Sequence, residues 1–451
     1  MRGATVRAVN GLAARWAAAL PTPAPSPAPA PAPGIPADAA PGTVFSACGV
    51  WPLLALLADG AAGPAREELA DALGVPAPAA ETARELLAAL ARIPGAGAAI
   101  GLWVRPEVAL REAWATGLPG GSLGRLGAGG SGADDSRKLL DAWAAEHTDG
   151  LVRELPVTVD EDTLLVLAAA QAVRTTWLRP FWESVTTPER GPWAGRRLVA
   201  LRRSTALLDR VGVAGTAAGP LTVLRVLGDT GVDVHLLLGT EEASAGAVLR
   251  GGLDVLAGAV TAVPGDVLPL GEPGPGLRVA QESSVTSDPR LRVCTPPFSL
   301  AAEHDLLDLH GVFGLTTARD ASRGHFPGIA DRPPLAVQQA RQAAAARFGA
   351  RGFEAASVAA VSTRAGAGRP LLTYRVRAVD LALDRPFGFL AVHRSSRLVL
   401  SAGWVAEPTP LGREGTEKGA AARAAAPSSL GGSVLSGRQN CSAQESIRPV
   451  S

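Results

Sequence analysis

From Leu164 to Val173 the chain is almost uniformly apolar. A strand at a wet surface alternates polar and apolar residues. A continuous run therefore needs cover on both faces and reads as the central strand of a sheet held between other layers. Only a sizeable core offers such a place, and 451 residues suffice for one large domain with appended tails or for two or three small ones. Hydrophobic residues make up 47% and charged residues 19%, so most of the chain folds, while 52 Gly and 37 Pro imply many turns and some unstructured stretches.

Around that strand the periodicity sets an order of elements. Val6, Val9, Leu12, Ala13, Trp16 and Leu20 recur at helical spacing, which predicts an amphipathic helix within 1–20. Residues 21–41 are nearly all Pro and Ala and read as an extended linker that buries nothing. Helices are expected over Trp51–Ala58, Pro64–Leu73 with Gly74 as its stop, Glu81–Ile93, and Ser136–His147 with Leu139, Leu140, Trp143 and Ala144 on one side. Later, strands dominate: Leu221–Val226 and Val232–Leu238 about a Gly-Asp-Thr-Gly turn, then Leu291–Cys294, Leu335–Val337, Tyr374–Val379, Phe387–Val392 and Arg397–Trp404. Early helices, late strands and no alternating βαβ units make the fold class α+β. The folded domain spans 42–408 together with the first helix, and 409–451, rich in Gly, Ala, Ser and Arg without periodicity, reads as a disordered tail.

Several functions are disfavoured. With 43 basic and 42 acidic residues the chain has no long-range field to gather nucleic acid or an anionic membrane. Cys48, Cys294 and Cys441 have no metal-knuckle spacing, and the six histidines are scattered; His304, Asp305 and His310 fall on different faces of a helix and do not make a metal site. No phosphate-binding loop, nucleophile elbow or zinc-hydrolase motif is present, so neither a cofactor nor an enzyme is expected, and a hydrolase with dispersed residues is the remote alternative. Arg2, Arg7, Asn10 and Arg15 interrupt any signal-peptide core, which leaves the cytoplasm as the default location.

Five motifs in fixed order resemble the serpin family. They are Thr43 to Val50 leading into Leu53–Ala61; Leu165-Val166-Leu167 running to Trp177-Leu178-Arg179-Pro180-Phe181; the Gly228–Leu238 hairpin; Phe326-Pro327-Gly328-Ile329; and Leu383-Asp384-Arg385-Pro386-Phe387-Gly388-Phe389-Leu390, with Gly388 where a large apolar residue is usual. The resemblance implies a serpin fold of three β-sheets, about eight or nine helices and an exposed reactive-centre loop. It also implies a monomer, often extracellular in the family, that inhibits a serine protease without a cofactor.

The segment that would do this is Gly352-Phe353-Glu354-Ala355-Ala356-Ser357-Val358, similar to the serpin hinge. In an extended chain Phe353, Ala355, Ser357, Ala359, Val361 and Thr363 share one face, and Glu354 and Arg364 both fall on the other. Ala355–Thr363 holds no charge, Pro or Gly and can pair as a strand with one face buried; an Ala-rich loop or short helix is the competing reading. The implied mechanism is a spring, in which a cleaved loop inserts as a new strand and carries off the acyl-linked protease. The usual loop length places the scissile bond at Gly366-Ala367, whereas a trypsin-like protease would cut after Arg364, the preferred site, or Arg369.

Two departures bear on this. Phe353 stands where inhibitory members carry a small hydroxyl residue, and overpacking at the first insertion step costs about 1–3 kcal/mol. The shutter-like polar cluster keeps Ser46 but has Gly49 for a second Ser, Ala169 for Asn and Gln342 for His. Both favour the alternative of a non-inhibitory binding or scaffold protein.

Overall fold

The computed structural model describes residues 1–20, 42–127, 132–147, 150, 157, 163–320, 322–353 and 373–408. Among them are eight α-helices and three β-sheets, with no repeating βαβ order. The helix Gly3–Ala18 buries Val6, Val9, Leu12, Ala13 and Trp16, and the Trp16 ring lies 4.7 Å from Phe45 and 4.8 Å from Phe313. Next comes Ala47–Gly60, in which every residue but Asp59 is buried. A helix apolar all round belongs in a core, and this one lies behind the sheet that matters most here. Its start is fixed by Ser46, whose hydroxyl accepts from the Gly49 amide at 3.2 Å. Gly63–Leu73 stops at Gly74, which takes φ +66° as a left-handed cap requires.

One seven-stranded antiparallel sheet orders Gly42–Phe45, Leu398–Val405, Phe387–His393, Val232–Leu238, Gly219–Leu227, Val211–Thr216 and Ala262–Pro264. Gly388 lies here beneath the helix Ala245–Ala257; a Cβ would stand 3.0 Å from a Leu249 methyl, so Leu249 fills the space a larger residue would take. A six-stranded sheet orders Gly271–Gly274, Leu277–Ser284, Tyr374–Ala382, Arg290–Thr295, Leu198–Thr205 and Trp182–Thr186.

The third sheet contains the apolar run. Leu165–Val173 pairs along its whole length with Ala96–Val104 and, on its other edge, in parallel with Ala340–Phe348, which is backed in turn by Phe298–Asp305. One face of this sheet packs on the main core; the other is covered by Gly132–His147 through Leu140, Ala144, Trp103, Val166, Ala168 and Ala343. Leu139 departs from its expected inward position and is 47% exposed.

Two readings of the sequence need correction. Leu335 and Val337 are buried but form no strand; the Leu335 carbonyl accepts from the His325 amide and the Val337 amide donates to the Ala318 carbonyl, an irregular segment tied by single bonds. Ala340–Phe348 is a long strand that periodicity did not reveal, because ARQAAAARF carries the composition of a helix.

Candidate functional site

Leu165–Val173 and Ala340–Phe348 are neighbours, yet among the described residues they share only the pairs Leu167–Ala340, Ala168–Arg341 and Ala169–Gln342. Beyond Gln342 the strands part. Into the opening comes a two-residue strand, Gly352–Phe353, with Phe353 opposite Phe348 on one side and Thr175 on the other. The slot left below it is lined by Ala169, Gln171, Val173, Gln342, Ala344 and Phe353, with Ser46, Gly49 and Ser401 at its floor. Its free volume, about 10 Å³, holds one water at most.

The floor is polar. Ser46 and Gln342, both buried, bond reciprocally: the Ser46 amide donates to Oε1 at 2.9 Å and Nε2 donates to the Ser46 carbonyl at 2.8 Å. The Ser46 hydroxyl touches both the Leu400 carbonyl, at 2.7 Å, and the Gln171 amide group. One hydroxyl proton cannot serve two carbonyl oxygens. The consistent arrangement turns the Gln171 amide so that Nε2 donates to Ser46 and Oε1 accepts from the Cys48 thiol. Burial pushes that thiol up to about 11 against the smaller opposing effect of its hydrogen bonds to Ser46 and Gln171, so it stays protonated as a donor. A Cβ on Gly49 would lie 3.5 Å from Ser46, Gln171 and Gln342, in ordinary contact, so glycine here widens the floor without being sterically required.

At the top of the slot the turn before Gly352 is clamped. Trp177 donates its amide to the Arg351 carbonyl at 2.8 Å and its indole N–H to the Gly349 carbonyl at 2.9 Å, while the Phe181 amide donates to the Ala350 carbonyl at 2.8 Å. The Phe353 ring points inward, buried, with its centroid 5.8 Å from that of Phe389. Aromatic pairs prefer this range, so the ring is accommodated here without the crowding expected of it.

Ser46, Gly49, Ala169, Gln342 and Phe353 therefore meet around one slot, and Gly352 pairs at its head. Glu354, Ala355, Ala356, Ser357, Val358, Arg364, Gly366, Ala367 and Arg369 lie outside the described residues, as do 21–41 and 409–451. Gln171 and Cys48 were missed by sequence reasoning. The available signal was a single amide side chain inside an otherwise apolar run. Among the described residues no group of His, Cys, Asp or Glu could hold a metal, and no helix is long and apolar enough to cross a membrane. His304 instead sits half-buried with Nε2 at 3.0 Å from the Val44 carbonyl.

The family model for Serpin (serine protease inhibitor) matches residues 36–190 and 277–408. The chain belongs to the serpin family. Putative serpin-Z6C of Oryza sativa subsp. japonica is 28% identical over 83% of this chain and 92% of its own length. Putative serpin-Z12 of the same plant is 35% identical, but the match covers 30% of this chain and 33% of that relative. Among solved structures, human thyroxine-binding globulin in complex with thyroxine superposes with a TM-score of 0.64 at 16% identity, covering 90% of this chain and 98% of that one. Serpin48 of the insect Tenebrio molitor gives 0.60 at 16%, covering 89% and 97%. The α+β architecture of three sheets described above is the serpin fold.

Proposed function

We propose that this chain inhibits a serine protease, with trypsin-like cleavage after Arg364, by inserting its cleaved loop between Leu165–Val173 and Ala340–Phe348. In that reaction the protease serine oxygen adds to the Arg364 carbonyl carbon and the Arg364–Ala365 bond breaks. Ala365 leaves as a free amine with the proton the serine lost, and the ester on Arg364 ties the protease to the loop.

The observation that carries the reading is register. Continued antiparallel from Phe353, the loop would set Ala355 against Ala346 and Val173, Ser357 against Ala344 and Gln171, Ala359 against Gln342 and Ala169, and Val361 against Ala340 and Leu167. The last two couples, Gln342–Ala169 and Ala340–Leu167, already face each other where the flanking strands meet. A strand laid from the hinge thus arrives in step with both neighbours, and it would displace three existing pairs. With Phe353 inward, the inward set is Ala355, Ser357, Ala359, Val361 and Thr363, small residues for a slot with almost no free volume, and Glu354 and Arg364 stay on the outer face.

Phe353 also supports a second reading, a binding or scaffold protein whose hinge stays seated on Phe389 and goes no further. Incubation with trypsin separates the two. Inhibition gives an SDS-resistant covalent complex and a cleaved form melting about 20 °C or more above the intact one, as release of stored strain requires. Clean cleavage with neither result removes the inhibitory reading. Since the Phe353 ring is already seated against Phe389 without crowding, Phe353→Thr relieves no steric barrier; it removes that seat, and a trapped fraction that rises with the substitution would show that the seat holds the loop back.

A further inference from the structure

The strand that receives the hinge is itself only two residues long, Thr175–Thr176, and such a strand has little stability of its own. Its alternation gives one set of main-chain groups to the hinge turn and the other to the turn of the hairpin Gly219–Leu238. On the hinge side the Trp177 amide donates to Arg351. On the hairpin side the Leu178 amide donates to the Leu227 carbonyl at 3.1 Å, and the Asp229 amide donates to the Thr176 carbonyl at 2.9 Å. The Asp229 carboxylate then takes three more bonds from the same strand: from the Thr176 amide at 3.1 Å, the Thr175 hydroxyl at 3.4 Å and the Thr176 hydroxyl. Gly228 permits this approach, since a Cβ there would lie 1.9 Å from the Thr175 hydroxyl oxygen. Behind the turn, Arg394 grips the buried Asp233 with two nitrogens, at 2.6 and 2.8 Å, and donates to the Gly228 carbonyl at 2.6 Å, so the turn is anchored to the sheet below.

We infer that Asp229 is the positioning residue for the hinge: it holds Thr175–Thr176 in the place where Gly352–Phe353 pairs, and so sets how firmly the head of the slot is primed for insertion. The functional consequence rests on the loop-insertion reading above; the placement does not. The test uses intact protein without protease and follows hydrogen exchange in peptides covering 349–353, with peptides covering 232–238 as reference. Asp229→Ala is expected to speed exchange at the hinge about tenfold while the reference strand is unchanged, because only local opening is made easier. Asp229→Asn keeps an acceptor for the Thr176 amide and an NH₂ for its hydroxyl, and should recover most of the protection. Unchanged exchange at the hinge in Asp229→Ala overturns the inference, and so does equal acceleration in both regions. Since no protease is involved, either result stands apart from success or failure of inhibition.

Discussion

Replacing Gln342 by Leu tests the floor of the slot with a change that keeps bulk and removes both bonds to Ser46. The two lost bonds are not equivalent. The Ser46 carbonyl still accepts from the Val50 and Gly49 amides of the following helix, at 3.4 and 3.3 Å, so it loses one partner of several. The Ser46 amide donates to Gln342 and is buried with that residue, so it is left without an acceptor. An orphaned buried donor costs about 1–3 kcal/mol and a surplus bond about 1 kcal/mol, which sums to about 2–4 kcal/mol. One water in the slot could relieve part of this, which favours the lower half. At about 2 °C per kcal/mol for a domain of this size, the intact protein should melt about 4–6 °C lower. Melting curves at one fixed scan rate are the assay, since irreversible unfolding makes the midpoint depend on rate. Gln342→His, which keeps one donor and one acceptor, should fall between. A shift below about 1 °C for Gln342→Leu would refute the claim that this pair holds the floor closed.

Arg394→Ala removes the charged partner of the buried Asp233 carboxylate, which keeps the Gly228 amide at 3.1 Å; because Arg394 is itself 44% exposed, the loss in urea unfolding should stay below the about 3–5 kcal/mol of a fully buried pair, and a loss of that full size would mean that water does not reach Asp233. Burial, with Arg225 opposite it in the ladder, drives His235 down to about 4, against the opposing pull of Asp233. As pH falls the unfolded chain takes up this proton near 6.5 and the folded one only near 4, so stability present above pH 6.5 is lost progressively between those values. His235→Asn should flatten that part of the stability profile relative to the parent, and parallel profiles would exclude the histidine as a cause.

How much of this was legible in the sequence depended on how strongly a segment declares a face. The helix Gly3–Ala18 and the strand Leu165–Val173 announce themselves because burial demands large apolar side chains at fixed spacing. The flanking strand Ala340–Phe348 does not, since four consecutive alanines favour helix and carry no alternation; its strand state is imposed by Phe298–Asp305, paired along its full length. Gln171 was hidden for a related reason, one amide in an apolar run whose partners, Ser46 and Cys48, lie more than a hundred residues away. The slot between the two strands is walled by small side chains, among them Ala169 and Ala344, and floored by the polar groups of Ser46 and Gln342. Small residues have weak propensities and no hydrophobic signature, so the wall of such a slot is where a sequence says least. The residues that do stand out, Trp177, Phe181 and Phe353, mark its rim, where the Trp177 and Phe181 amides hold the turn 349–351 and Phe353 pairs between Phe348 and Thr175.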